Sequence, residues 1–199
     1  VLGAVPEAVH VPVDADGIVD IRALERLLDA SDEPAIVSVM WANNETGVIQ
    51  PLTDVIELAR VHGALVHSDA VQAAGKVPID FASSGLDLMS VSAHKIGGSS
   101  GVGALLARHG VPLGPQMTGG GQERGRRSGT ENLPGIASFG AAAECAGAAL
   151  LASGGSLGGI AELRDGFEAG IRAAVFGARI LCREVDRLPN TSCIVMPGV

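Results

Sequence analysis

The chain has 199 residues, and 14 Lys+Arg against 22 Asp+Glu leave a formal charge of −8. With 47% hydrophobic and 18% charged residues it is no disordered polymer, and its length suffices for a buried core in one or two domains. The acidic balance, with aromatics at only 3% and no tyrosine, argues against nucleic acid or an anionic membrane as partner.

The pattern along the chain alternates. Residues 9–13 are a short apolar run that predicts a strand. Asp20 predicts a helix N-cap, followed by Ile21, Leu24, Leu27 and Leu28 on one helical face. Residues 35–41 (AIVSVMW) form a continuous β-branched run, which predicts a strand buried on both faces. Thr53 predicts a second N-cap, with Val55, Ile56, Leu58, Ala59 and Val61 at helical spacing and Gly63 as the stop. Residues 64–67, 86–91 and 103–107 read as further strands. Residues 132–151 are Ala-rich and predict a helix, 153–159 (SGGSLGG) a flexible joint, and 160–175 another helix before strand-like runs at 179–182 and 192–196. The apolar stretches are interrupted by Gly, Ser or charge short of the ~18–20 residues of a membrane span, so none is expected. The opening residues (VLGAVPEAVHVPV) show no initiator Met, basic region or cleavage signal, and the sequence closes on MPGV; a piece of a longer polypeptide is expected.

This order predicts an α/β layer architecture with a mostly parallel sheet. Polar residues gather where strands end: Asn43-Asn44-Glu45, Asp69 with Gln72, and Ser92 with His94 and Lys95. Open α/β sheets bind ligands outside the carboxyl ends of their strands. Lysine is scarce, with only Lys76 and Lys95. Lys76, in GKVPID, reads as a surface position. Lys95 follows an apolar strand, and such a lysine can form a Schiff base with a carbonyl cofactor, although a solvated lysine also fits. Asp69 fits a turn former or an acid facing a heterocyclic nitrogen. The pairing of the two strand ends favours the cofactor reading.

Other motifs are weaker. The Gly97–Gly103 stretch is no dinucleotide fingerprint, and Gly120–Gly125 has phosphate-loop spacing but Arg126-Arg127 where Lys-Ser/Thr is required. Arg124, Arg126 and Arg127 with Ser128 and Thr130 form either an anion site or a solvated basic loop. His10, His62, His67 and His109 lack partners at metal spacing and read as structural or exposed. Cys145 reads as core, and Cys182 and Cys193 as strand residues; an odd count without metal spacing predicts no metal and a reduced, cytoplasmic setting.

The runs SVMWANNETGVIQP, HSDAVQAAGKVPID, LMSVSAHKIGG, GVGALL, GGGQERGRRSGTEN and LPNTS together resemble the cysteine desulfurases, which are class V aminotransferases of the fold-type-I pyridoxal 5′-phosphate (PLP) group. The resemblance covers almost the whole chain. It implies a three-layer α/β large domain over residues 1–152 and the start of a small α/β domain over 153–199. It implies that Lys95 binds PLP as a Schiff base and then moves the substrate Cα proton, and that Asp69 pairs with the ring nitrogen. Gln72 and Asn43 would bond the phenolic oxygen, and Ser92 and His94 the phosphate, with His94 also close to the Schiff base. Thr130 would reach the phosphate of a partner subunit, in a homodimer. The implied reaction converts L-cysteine to L-alanine and passes sulfur as a persulfide to an acceptor or scaffold protein, as in iron–sulfur cluster assembly. The family's phosphate loop and ring-stacking His, and its persulfide Cys loop and substrate Arg, have no counterpart here, so the chain alone is expected to be inactive. GGSSG after Lys95 also replaces the family's usual Pro and Lys. A selenocysteine lyase, another class V enzyme and a non-catalytic remnant are the alternatives.

Overall fold

The computed structural model describes residues 3, 5–31, 33, 35–155 and 157–198. Its elements are α1 (Ile21–Asp29), β1 (Ile36–Met40), α2 (Leu52–Val61), β2 (Leu65–Asp69), α3 (Phe81–Ser84), β3 (Leu88–Ser92), a 3₁₀ turn (Ala93–Lys95), β4 (Gly103–Ala107), a second 3₁₀ turn (Gln122–Gly125), α4 (Leu133–Ala152), α5 (Gly158–Ala174), β5 (Arg179–Ile180) and β6 (Ile194–Val195). Strands β1, β2, β3 and β4 lie in that order in one sheet. The first three run parallel, while β4 returns antiparallel beside β3. Strands β5 and β6 pair separately.

Side-chain alternation divides the sheet into two faces. Val37, Val66 and Met89 point to one face, where they pack with Leu24 and Leu28 of α1 and Val55, Ile56 and Ala59 of α2. The other face carries Ile36, Met40 and Leu105, which are exposed, and a polar file built from Ser38, His67 and Ser90. Strand β1 is therefore buried on one face and open on the other. The expected two-sided burial fails because β1 ends the sheet and its second face carries no helix among the described residues.

Local chemistry sets most element ends. Asp20 caps α1 by accepting from the Ala23 N–H at 2.9 Å. Helix α2 starts at Leu52 with Pro51 as N-cap, so Thr53 lies inside the first turn instead of capping it. Proline's fixed φ and missing N–H suit that entry. Asn132 caps α4 through the Gly135 N–H at 3.1 Å. Residues 9–13 form no strand; Val13 makes one bridge to Val19, where Asp14 turns the chain by accepting from the Asp16 and Ile18 amides. The expected joint at 153–159 is shortened by α5, which starts at Gly158. Cys145 is exposed on α4, not core, and Cys182 sits beyond β5 at a φ of +55°.

Helix α4 is long and apolar enough to cross a membrane by length and composition alone, contrary to expectation, because its Gly and Ser residues do not interrupt the helix. It is largely exposed, and it contacts the 3₁₀ turn that holds Lys95.

The segment after α5 folds back onto the first part of the chain. Ile49 donates its amide to Asp186, and Leu188 donates to Gly47 at 2.8 Å. Leu188 is fully buried beside Ala42 and Ala73. Gly47 is required at this crossing: its φ is +78°, and a Cβ there would lie 2.8 Å from Thr191 Cβ. Glu168 of α5 pins the returning segment through two hydrogen bonds from Arg187, at 2.8 and 3.2 Å.

Candidate active site

The parallel strands deliver their polar ends to one edge. Met40 pairs with Asp69 in register, and Asp69 pairs with Ser90. Residue 43 lies just past β1, Asp69 ends β2, and Ser92 ends β3 before the 3₁₀ turn carries His94 and Lys95. The structure thus gathers Asn43, Asp69, Gln72, Ser92, His94 and Lys95 at the carboxyl edge.

Each group arrives with part of its hydrogen-bonding capacity already used. Asn43 Oδ1 accepts from the Glu45 and Thr46 amides at 2.8 and 3.0 Å, which folds the ANNETG loop. Among the described residues its amide nitrogen has only a 3.6 Å contact to Met40 sulfur. Asp69 Oδ1 accepts from the Val71 N–H at 3.0 Å, and its Oδ2 has no partner among the described residues. Gln72 Oε1 accepts from Lys76 Nζ at 3.2 Å. Ser92 Oγ and His94 Nδ1 share a hydrogen bond of 2.8 Å, and His94 is exposed. Lys95 is exposed, and no hydrogen bond or ion pair among the described residues engages its amine.

Thr130 lies exposed on the loop entering α4, and no side-chain hydrogen bond among the described residues links it to the other site residues. Its loop is largely self-satisfied. Ser128 is buried and donates to the Gly120 carbonyl at 2.9 Å, and Arg127 donates to the Gly129 carbonyl at 2.9 Å. Ser128 is therefore spent within the loop, Arg127 is engaged there through Nη1, and Arg124 and Arg126 are exposed. The GGSSG segment after Lys95 is docked on α4 by Ser99, whose amide and hydroxyl both bond Ser138 Oγ.

Sequence patterns missed the role of Lys76 and left the structural reading of His67 without its partners. Lys76 is no surface residue: it is half-buried and donates to the Gln72 carbonyl at 2.7 Å as well as to its side chain. Burial pushes its amine below the ordinary lysine value, and the Lys95 charge adds to the effect. The missed signal was the i, i+4 spacing of Gln72 and Lys76. His67 joins three strands, with Nδ1 at 2.8 Å from Ser38 Oγ and Nε2 at 2.8 Å from Ser90 Oγ. Burial lowers its pKa despite nearby Asp69, and its two serine contacts make it a structural ring. Its position two residues before Asp69, on the same face of β2, was the available signal.

A cavity of ≈ 500 Å³ lies elsewhere, at the opposite ends of the strands among Arg60, Ala64, Asp87 and Arg108. Its polar groups serve the frame: Asp87 Oδ2 accepts from the Val66 N–H, and Arg108 donates to the Leu86 carbonyl. Side-chain chemistry makes the carboxyl edge the candidate site.

Comparison with known proteins identifies the family. The chain matches the family Aminotransferase class-V over residues 5–153. A cysteine desulfurase of Cereibacter sphaeroides is 53% identical over 185 residues, which is 93% of this chain and 46% of that protein. The cysteine desulfurase NifS of Azotobacter vinelandii is 45% identical over 183 residues, 92% of this chain and 44% of that protein. The X-ray structure of a NifS-like protein from Rickettsia africae ESF-5 matches with a TM-score of 0.90 at 36% identity, covering 95% of this chain and 52% of that one. The chain spans about half the length of these relatives. With its family match, its mostly parallel sheet and its polar strand ends, the chain belongs to the class V aminotransferases, PLP-dependent enzymes of the α/β fold type I.

Proposed function

We propose that this chain is the cofactor-holding part of a cysteine desulfurase, and that its working edge is the one formed by Asn43, Asp69, Gln72, Ser92, His94 and Lys95. The observation that carries the proposal is the delivery of these groups by three adjacent parallel strands. In the reaction, L-cysteine and an acceptor thiol become L-alanine and a persulfide. The cysteine C–S bond breaks, an S–S bond forms, and the acceptor's proton ends on the alanine methyl group.

The donor set fits PLP. An amine meets the aldehyde, a carboxylate the ring nitrogen, amide N–H groups the phenolic oxygen, and a hydroxyl with an imidazole the phosphate. The bound cofactor supplies an electron sink for negative charge at the substrate Cα. Lys95 has an amine that no described residue engages, able to condense with an aldehyde and afterwards to move the Cα proton. Asp69, steadied through Oδ1, keeps Oδ2 to hold the ring nitrogen protonated. Asn43 and Gln72 have their carbonyl ends occupied, so each turns an N–H end outward. Ser92 and His94 anchor the phosphate as a bonded pair.

The sulfur-accepting thiol is assigned outside these residues. Burial pushes the Cys182 thiol above its ordinary value, opposite to what a nucleophile needs, and Cys145 lies on α4, away from any loop. The same reading includes a small-domain start at residue 153, supported by the separate β5–β6 pair, and a homodimer in which Thr130 serves the partner's site, supported by the exposed apolar face of α4. A protein acceptor of the iron–sulfur assembly type is supported by the motif resemblance, and a cytoplasmic setting by three unpaired cysteines.

Borohydride reduction after incubation with PLP, followed by peptide mapping, is expected to fix the cofactor on Lys95, and Lys95→Ala is expected to lose that adduct. An adduct elsewhere, or none, refutes the site. In the full-length protein, L-cysteine is expected to yield L-alanine together with protein-bound persulfide. A Lys95 adduct without alanine formation overturns the substrate assignment and leaves a different class V reaction.

A further inference from the structure

We propose that Lys76 is a positioning residue that fixes which end of the Gln72 side chain faces the cofactor, an inference that rests on the PLP reading above. Residues 70–77 form a short helical turn segment, with Ala74 N–H donating to Ala70 and Val77 N–H to Ala73. Four-residue spacing puts Gln72 and Lys76 on one side of that turn. An ammonium group can only donate. Because Lys76 Nζ lies 2.7 Å from the Gln72 carbonyl and 3.2 Å from Gln72 Oε1, both contacts require oxygen on the Gln72 side. The amide can then present only its NH₂ end elsewhere, and that end has no partner among the described residues. An N–H donor is what a phenolate oxygen accepts; a flipped amide would set oxygen against oxygen.

A second contact locates this clamp beside the reactive amine. Gly75 packs so tightly that a Cβ there would meet Ile96 Cγ2 at 3.0 Å and Ala146 Cβ at 3.2 Å. Ile96 follows Lys95 directly, and Ala146 belongs to α4. The Gln72–Lys76 turn is thus wedged between the Lys95 turn and α4. The Lys95 charge reaches the half-buried Lys76 amine and pushes its pKa down further.

The test is a double-mutant cycle on the full-length protein, read as the PLP dissociation constant from visible absorbance. Lys76→Met is expected to weaken PLP binding by about threefold to tenfold, the worth of one hydrogen bond. Gln72→Ala is expected to weaken it similarly, and adding Lys76→Met to Gln72→Ala is expected to change it less than about twofold. Lys76→Arg, which keeps a cationic donor, is expected to restore most of the affinity. An equal loss from Lys76→Met with and without Gln72 would mean a general structural role and overturn the inference, as would an unchanged dissociation constant. Should Lys76→Met fail to fold, Lys76→Gln enters the same cycle. Failure of the parent protein to bind PLP through Lys95 overturns the PLP reading itself, and this inference falls with it. Binding by the parent with a flat cycle overturns the inference alone.

Discussion

Replacing Glu168 with glutamine tests how the returning segment is held to the site loop. Glu168 and Arg187 side chains are each 3% exposed, and the pair is bidentate at 2.8 and 3.2 Å. Arg183 approaches the same carboxylate at 4.0 Å. Glu168→Gln therefore leaves a buried guanidinium without its counter-charge, a loss worth about 3–5 kcal/mol. For a chain of this size that lowers Tm by roughly 6–20 °C. The consequence reaches the site, because Arg187 bridges to Val48 and Leu188 bonds Gly47, which in turn donates to Asn43. Urea unfolding is the assay, and the midpoint is expected to fall with an unchanged slope. The pH dependence has a defined sign. Burial is the largest single influence and pushes the Glu168 carboxyl up, but the hydrogen bonds and charge of Arg187, with Arg164 behind it, outweigh burial and hold it below its ordinary value of 4.5. The pair's contribution is therefore complete above that value and is lost as pH falls through the lower folded-state pKa. A loss below about 1 kcal/mol, as for an exposed ion pair, would refute the buried-pair argument.

Two further perturbations probe the frame. Gln50 is buried and holds the segment before α1 at both ends, accepting from the Val19 N–H at 2.9 Å and donating to the Gly17 carbonyl at 2.8 Å. Gln50→Ala is expected to cost about 1–3 kcal/mol and to speed hydrogen exchange at the Val19 amide, and unchanged protection there would count against it. His62 is raised above 6.5 by its bond to the Leu58 carbonyl and then by Asp29 at 3.0 Å. A raised pKa means stability that is complete below the unfolded value and disappears as pH rises through the folded one. Thermal melts of the parent and His62→Gln should therefore diverge at about pH 5 and converge at about pH 8. Melts separated equally at both ends would disprove the linkage.

Much of the fold was legible because its determinants are local. The Asp20 cap, the Gly63 stop and the 103–107 strand follow from side-chain chemistry within a few residues, and they stand in the structure nearly as written. So do the strand-end groups, since a parallel sheet sends successive strand ends to one edge. Errors fell where a partner decides. Residues 9–13 are apolar but find no neighbouring strand, and residues 35–41 meet a helix on one face only. The helical spacing at 132–151 did not tell that Cys145 faces outward.

Composition and local pattern alone determined an α/β chain with one lysine, one aspartate and two amides at strand ends. Tertiary structure alone decided that Lys76 turns inward to Gln72, that His67 ties β1 to β3 through two serines, and that Arg187 finds Glu168 across the return segment. The reason is physical: capping and turn chemistry act within a few neighbouring residues, whereas burial and the pairing of charged or polar groups depend on which distant segments the packed sheet brings together.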